Sequence, residues 1–178
     1  MTAFEDALQA LMRREGDYVN DPADRGGETR FGITRATALR HGYGGPMRDL
    51  PLETATAIYR DGYWAANRLE EVAAICPPLA ARLFDIGVNL GVATAARFLQ
   101  RALNLLNRGQ RLFADLAVDG AIGPGTLEAL SRLTPEDHAT LVRVVVAYQG
   151  RRYLEIAEND PTQERFMRGW IARLEPIA

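Results

Sequence analysis

At 178 residues the chain has the length of one domain, or of one domain with a small helical annex, and the 47% of it that is apolar suffices for a sizeable core. A formal charge of -2 with scattered arginines lacks the basic face of a phosphate-contacting surface, so no nucleic-acid partner is expected. The one cysteine, Cys76, excludes an internal disulfide, and with only His41 and His138 present no metal-binding spacing exists; Cys76 reads as a small buried apolar residue.

The opening segment "MTAFEDALQALMRREG" carries acids where a secretory leader needs basic residues, and its apolar residues are periodic rather than continuous. It reads as structure, which implies synthesis in the cytoplasm without a signal peptide. Thr2 stands three residues before Glu5, the capping-box spacing, and Phe4, Ala7, Leu8 and Leu11 share one helical face. Residues 16 to 33 hold Asn20, Asp21, Pro22, Gly26 and Gly27 between short β-prone fragments, which suits turns and a small hairpin. Thr34 then caps a short helix that stops at "HGYGGP", and Leu52, Ala55, Ile58 and Tyr59 predict a helix over roughly 52–62 that leads into "DGYWAAN".

Pro77 and Pro78 open the helix "PPLAARLFDIGVNLG", which Gly91 bends or interrupts before "VATAARFLQRALNLL" continues. This is the longest apolar helical region and the expected centre of the fold. "LAVDGAIGPGTLEALSRL" predicts a Gly-rich turn and a helix from about 125. "TPEDHATLVRVVVAYQGRRYLEIAEND" begins with a cap, a proline at the first helical position and two acids in the first turn. "TQERFMRGWIARLEP" predicts one last helix, with Trp170 in the core. The expected class is mainly α with a short irregular or β-hairpin insert after the first helix.

Glu15 follows Phe4 by eleven positions and therefore projects only ~20° from it around a helix axis. A carboxyl there is pushed toward partial burial and sits in the last turn, where the helix dipole disfavours negative charge; both effects raise its pKa, as a general acid requires. The alternative is a helix frayed at Gly16, with Glu15 solvated or paired to an arginine. Asp24 and Thr29 follow in a loop whose Gly26 and Gly27 let backbone approach a ligand. A helix-borne acid, a loop carboxylate and a hydroxyl suit glycoside cleavage, where one group protonates the leaving oxygen and another faces an oxocarbenium-like centre. Asp24 also suits a plain turn, and Glu28 is a rival second carboxylate.

"REGDYVNDPADRGGETRFGIT" resembles the signature of glycoside hydrolase family 108, the bacterial and prophage peptidoglycan muramidases of the secretion-activator type. Their catalytic glutamate lies in a Glu-Gly-Gly-Tyr stretch, here Glu15 to Tyr18 with Asp17 at the third position. The resemblance continues through "IYRDGYW", "FDIGVNLGVATAARFLQ" and "FMRGWIAR". "VDGAIGPGTLEAL" is similar to small helical peptidoglycan-binding modules, although its residues also suit a turn before a helix. The order of acid, Asp and Thr is further similar to phage-type lysozymes, with the gap from Asp24 to Thr29 one residue shorter.

The resemblance implies a lysozyme-like catalytic portion over 1–92 and a helical C-terminal portion with a peptidoglycan-binding-like segment over 93–178, packed as one unit. It implies hydrolysis of the β-1,4 bond between N-acetylmuramic acid and N-acetylglucosamine, with no cofactor and no metal. Glu15 is the implied acid, Asp24 and Thr29 its catalytic companions, and Tyr18 and Asn89 implied substrate contacts. Asp85 and Asn89 share one helical face and either line the saccharide groove or bond inside the core. Tyr63 and Trp64 either stack on sugar or pack internally. The partner is the peptidoglycan glycan strand, reached in the periplasm after release through a holin-type membrane pore. The alternatives are a lytic transglycosylase on the same bond and a non-catalytic wall-binding or secretion-accessory protein.

Overall fold

The structure, a computed structural model, describes residues 1–13, the backbone of 18–19, and residues 28–175. Its packing divides into two compact units, Met1–Ala66 and Asn67–Ala178.

The first unit opens with α1, Ala3–Met12, started by a complete capping box: the Thr2 hydroxyl accepts from the Glu5 amide at 3.2 Å, and the Glu5 carboxylate accepts from the Thr2 amide at 2.9 Å. Its buried stripe is Phe4, Ala7, Leu8 and Leu11, as the periodicity predicts. Three two-residue strands follow, β1 (Tyr18–Val19), β2 (Thr29–Arg30) and β3 (Ile33–Thr34), paired antiparallel in the order β1-β2-β3. Phe31 and Gly32 join β2 to β3 with φ of 53° and 75°, the two positive values a tight primed turn needs. Glycine adopts this readily and phenylalanine does not. Two contacts hold Phe31 there: the buried Tyr59 hydroxyl donates to its carbonyl at 2.7 Å, and the Arg30 guanidinium lies 4.9 Å from its ring centre.

Thr34 caps α2, Arg35–Arg40, by accepting from the Thr37 amide at 3.2 Å. The helix predicted over 52–62 is α only over α3, Leu52–Tyr59, and continues as a π-helix over Arg60–Trp64. An α register would carry the inward face from Ile58 and Tyr59 to Gly62 and Tyr63. The wider turn carries it on to Trp64, which is 3% exposed and meets the Phe4 ring edge-on at 5.5 Å.

The second unit contains α4 (Leu69–Ile75), α5 (Pro77–Leu90), α6 (Val92–Leu106), α7 (Pro124–Ser131), α8 (Pro135–Asn159) and α9 (Met167–Ala172). Pro77 starts α5, and Gly91, at φ 94°, separates it from α6. Helix α5 is the hub, packed on α4, α6 and α8. Leu79, Leu83, Phe84 and Ile86 of α5 are buried, as are Leu99 and Leu103 of α6 and Leu141 and Val145 of α8. Thr134 caps α8 with a second capping box through Asp137.

The single last helix predicted from "TQERFMRGWIARLEP" is instead a 3-10 helix, Pro161–Phe166, followed by the short α9. Asp160 causes the tight start by accepting from both the amide and the hydroxyl of Thr162, and Thr162 to Phe166 supply no apolar stripe to hold an α register. Trp170 is not in the core either. It is half-buried and stacks on Tyr153 of α8 at 5.2 Å, because a helix of six residues lies on α8 without being enclosed. Among the described residues no helix is long and apolar enough to cross a membrane.

Candidate functional site

In the first unit, the segment that the sequence marks as chemical follows α1 in the chain and contains the strands of the meander. Glu15 and Asp24 lie outside the described residues, and of Tyr18 the backbone alone is described. Thr29 lies in the central strand, opposite Val19 on one side and Thr34 on the other, while Tyr18 pairs with Arg30. The meander therefore places Tyr18 and Thr29 one register step apart. Glu28, the rival carboxylate, is half-buried with its Oε2 3.9 Å from Arg35, and its carbonyl accepts from the Arg35 amide at 3.1 Å. That double tie anchors it to the start of α2.

Tyr63 is half-buried, its ring 5.7 Å from that of Tyr59. Trp64 is a core residue and not a sugar platform, since its indole is enclosed against Phe4. The Arg60 guanidinium covers Phe4 at 4.3 Å, so the aromatic cluster beside α1 is closed by a cation.

In the second unit, Asp85 and Asn89 separate in role. Asp85 is buried in a polar cluster: Arg173 donates to its Oδ1 at 3.0 Å and Gln149 donates to its Oδ2 at 3.2 Å. The same Gln149 amide nitrogen lies 3.0 Å from the Tyr153 hydroxyl, and Arg82 donates to the Gln149 oxygen and to the carbonyls of Arg173 and Glu175. Burial pushes the Tyr153 hydroxyl above its ordinary pKa, so it stays a neutral partner in this network. For Asp85 the internal alternative is the one realised. Asn89 is half-buried on the last turn of α5, with a long 3.4 Å bond from its amide to the Asp85 carbonyl. The cluster carries a signal in the sequence that the motif spacing does not use: Arg82 and Asp85 stand three apart on a mainly apolar helix.

The "VDGAIGPGT" segment is built as a turn leading into a helix. Asp119 accepts from the Gln100 side chain at 2.7 Å and from the Ala121 amide at 2.9 Å, and Gln100 accepts in return from the Gly120 amide at 3.0 Å. These bonds, that from Gln100 first, hold the Asp119 carboxyl below its ordinary pKa. Gly120 sits at φ 85°, where an added Cβ would also meet the Ala93 carbonyl at 3.1 Å. Gly123 and Pro124 then start α7. Among the described residues no group of three or more His, Cys, Asp and Glu side chains is placed to hold a metal ion.

Comparison with known proteins places this geometry in context. Residues 8–91 match the family model described as glycosyl hydrolase 108, and residues 94–175 match that described as a predicted peptidoglycan domain. Among solved structures, SagA of Brucella abortus matches with a TM-score of 0.71 at 26% identity, over 96% of this chain and 88% of that one. No curated protein matches the sequence significantly. The architecture of this chain is the mainly α, lysozyme-like one, with a small strand insert after the first helix.

Proposed function

The chain belongs to the glycosyl hydrolase 108 family and is a peptidoglycan-directed glycoside hydrolase; from that premise we propose that it is an N-acetylmuramidase with Glu15 as its general acid. The bond cleaved is the β-1,4 linkage between N-acetylmuramic acid and N-acetylglucosamine. Glu15 gives its proton to the glycosidic oxygen as the carbon–oxygen bond breaks. Asp24 stabilises the positive charge that develops at the anomeric carbon, or orients the incoming water, and Thr29 helps to hold that water. Tyr18 and Asn89 contact the glycan in this reading. The enzyme acts on the wall after leaving the cytoplasm, by way of a holin-type pore.

One observation carries the reading: the hydrolase match over 8–91 encloses the acid-rich segment with Glu15, Asp24 and Thr29, and it begins on α1, whose buried stripe ends at Leu11, four positions before Glu15. Glu15→Gln removes the proton while keeping the shape. Release of reducing ends from purified sacculi is expected to fall by about 10²–10⁴-fold with unchanged thermal unfolding. Full activity in that variant rejects the assignment. Product masses that include the added water distinguish hydrolysis from formation of an anhydro sugar, and an equal loss in Asp24→Asn identifies a second working carboxylate.

A further inference from the structure

Helices α6 and α8 form a groove in the second unit that none of the roles above uses. From α6, Thr94, Phe98 and Arg101 recur at helical spacing; from α8, Tyr148, Arg151 and Arg152 face them, and the groove has a volume of ≈ 220 Å³. Phe98 and Tyr148 stack nearly parallel, 5.7 Å apart at 18°, and give the groove a flat aromatic floor. Phe98 is buried and Tyr148 half-buried. Among the described residues the Tyr148 and Thr94 hydroxyls have no hydrogen-bond partner and the exposed Arg101 has no ion pair.

Charge gives the groove its sign. Glu155 also lines it, and both α8 arginines share that one carboxylate: Arg151 at 2.7 Å and Arg152 at 3.6 Å. The hydrogen bond from Arg151 holds the Glu155 carboxyl below its ordinary pKa, so it stays ionised at neutral pH. Three guanidinium groups thus face one carboxylate, and the excess is cationic. Guanidinium is a fork that binds a carboxylate through two parallel bonds. The volume lies below the roughly 300–1,000 Å³ of sites that enclose a whole small molecule, so the groove suits a fragment of a larger ligand.

We propose that this groove is a subsite for the free carboxylates of the peptidoglycan stem peptide, held by Arg101 with the Tyr148 and Thr94 hydroxyls over the aromatic floor. The proposal rests on the reading of the chain as a peptidoglycan hydrolase, since every groove residue lies inside the peptidoglycan-domain match over 94–175. Glycan strands bind their lactyl carboxyl in the amide to the peptide, which leaves the stem peptide as the carrier of free carboxylates. The subsite acts on retention of peptide-bearing substrate and so moves KM more than kcat.

The test titrates the full chain with muramyl-alanyl-glutamate, carrying free carboxylates, and with its fully amidated counterpart. The acid is expected to bind about tenfold more tightly than the amide, the worth of one charge-assisted contact, and the difference is expected to shrink as salt rises. Arg101→Gln is expected to abolish the distinction and to raise KM on intact sacculi about tenfold, whereas Arg111→Gln, an exposed change outside the groove, keeps the parent's values. Equal binding of acid and amide, or an unchanged Arg101→Gln, overturns the proposal; so does capture of a phosphate-bearing wall polymer in place of the peptide. If the parent discriminates acid from amide yet releases no reducing ends, the muramidase reading falls and the subsite stands.

Discussion

Replacing Asp85 by asparagine keeps the side-chain shape and removes its charge from a site that is 4% exposed. The carboxylate lies 3.0 Å from Arg173 and accepts from Gln149 at 3.2 Å, with Arg82 bonded to the far side of the same Gln149. At that separation and an effective dielectric of about 20, the direct attraction is about 5 kcal/mol, most of it offset by the desolvation of both ions. Breaking the pair is a different matter from never building it, because the carboxylate that the guanidinium faces is removed from a buried site, and such losses run about 3–5 kcal/mol. The Arg173 side chain retains 16% exposure, so water takes up part of its charge and the lower end, about 3 kcal/mol, applies. For a chain of this length each kcal/mol moves the melting point by about 2–4 °C, which gives a fall of about 6–12 °C. Urea unfolding should show a lower midpoint with an unchanged slope. Below the transition, activity per folded molecule on sacculi should match the parent. A melting point within about 1 °C of the parent, together with lost activity, would place Asp85 in the saccharide groove and refute the structural assignment.

Gly91 between α5 and α6 sits at φ 94° and ψ 146° with nothing near a hypothetical Cβ, so Gly91→Ala meets backbone strain and no clash. The expected cost in denaturant unfolding is about 1–3 kcal/mol, and a neutral result would show that the helix junction relaxes. Asp119 has its folded-state pKa depressed below 3.8, chiefly by the Gln100 bond, so the stability it contributes is complete above the unfolded value and is lost as pH falls through the folded one. Asp119→Asn should therefore be less stable than the parent near neutral pH, and the gap should close below pH 3.8; a gap that is constant with pH contradicts the charge-based account of this turn.

Much of the helical plan was legible from short spacings. Thr2 with Glu5, Thr34 with Thr37 and Thr134 with Asp137 are caps whose partners lie three residues away, and each forms as read. Gly91 and the Pro77–Pro78 start likewise act within one turn. The π-helix over Arg60–Trp64 was not legible, because the periodicity of "IYRDGYW" suits an α register equally well until Phe4 is in place to enclose Trp64. The split of the last helix depended on Asp160 capturing Thr162 in competition with helical bonding. At the candidate site, the acid-rich segment and the strand insert were readable as a motif, and the placement of Thr29 in the central strand required the pairing to Val19 and Thr34.

By itself the sequence determined the helix starts marked by a Thr cap or by Pro77, the buried stripe of α1 and the helix pair around Gly91, since each depends on backbone conformation and on partners within a turn or two. The tertiary structure alone decided the fate of polar groups on apolar faces. Asp85 meets Gln149 and Arg173, 64 and 88 positions away, and Gln100 meets Asp119, 19 positions away. A buried charge must find a partner, but nothing local specifies which one, and the choice is made when helices pack.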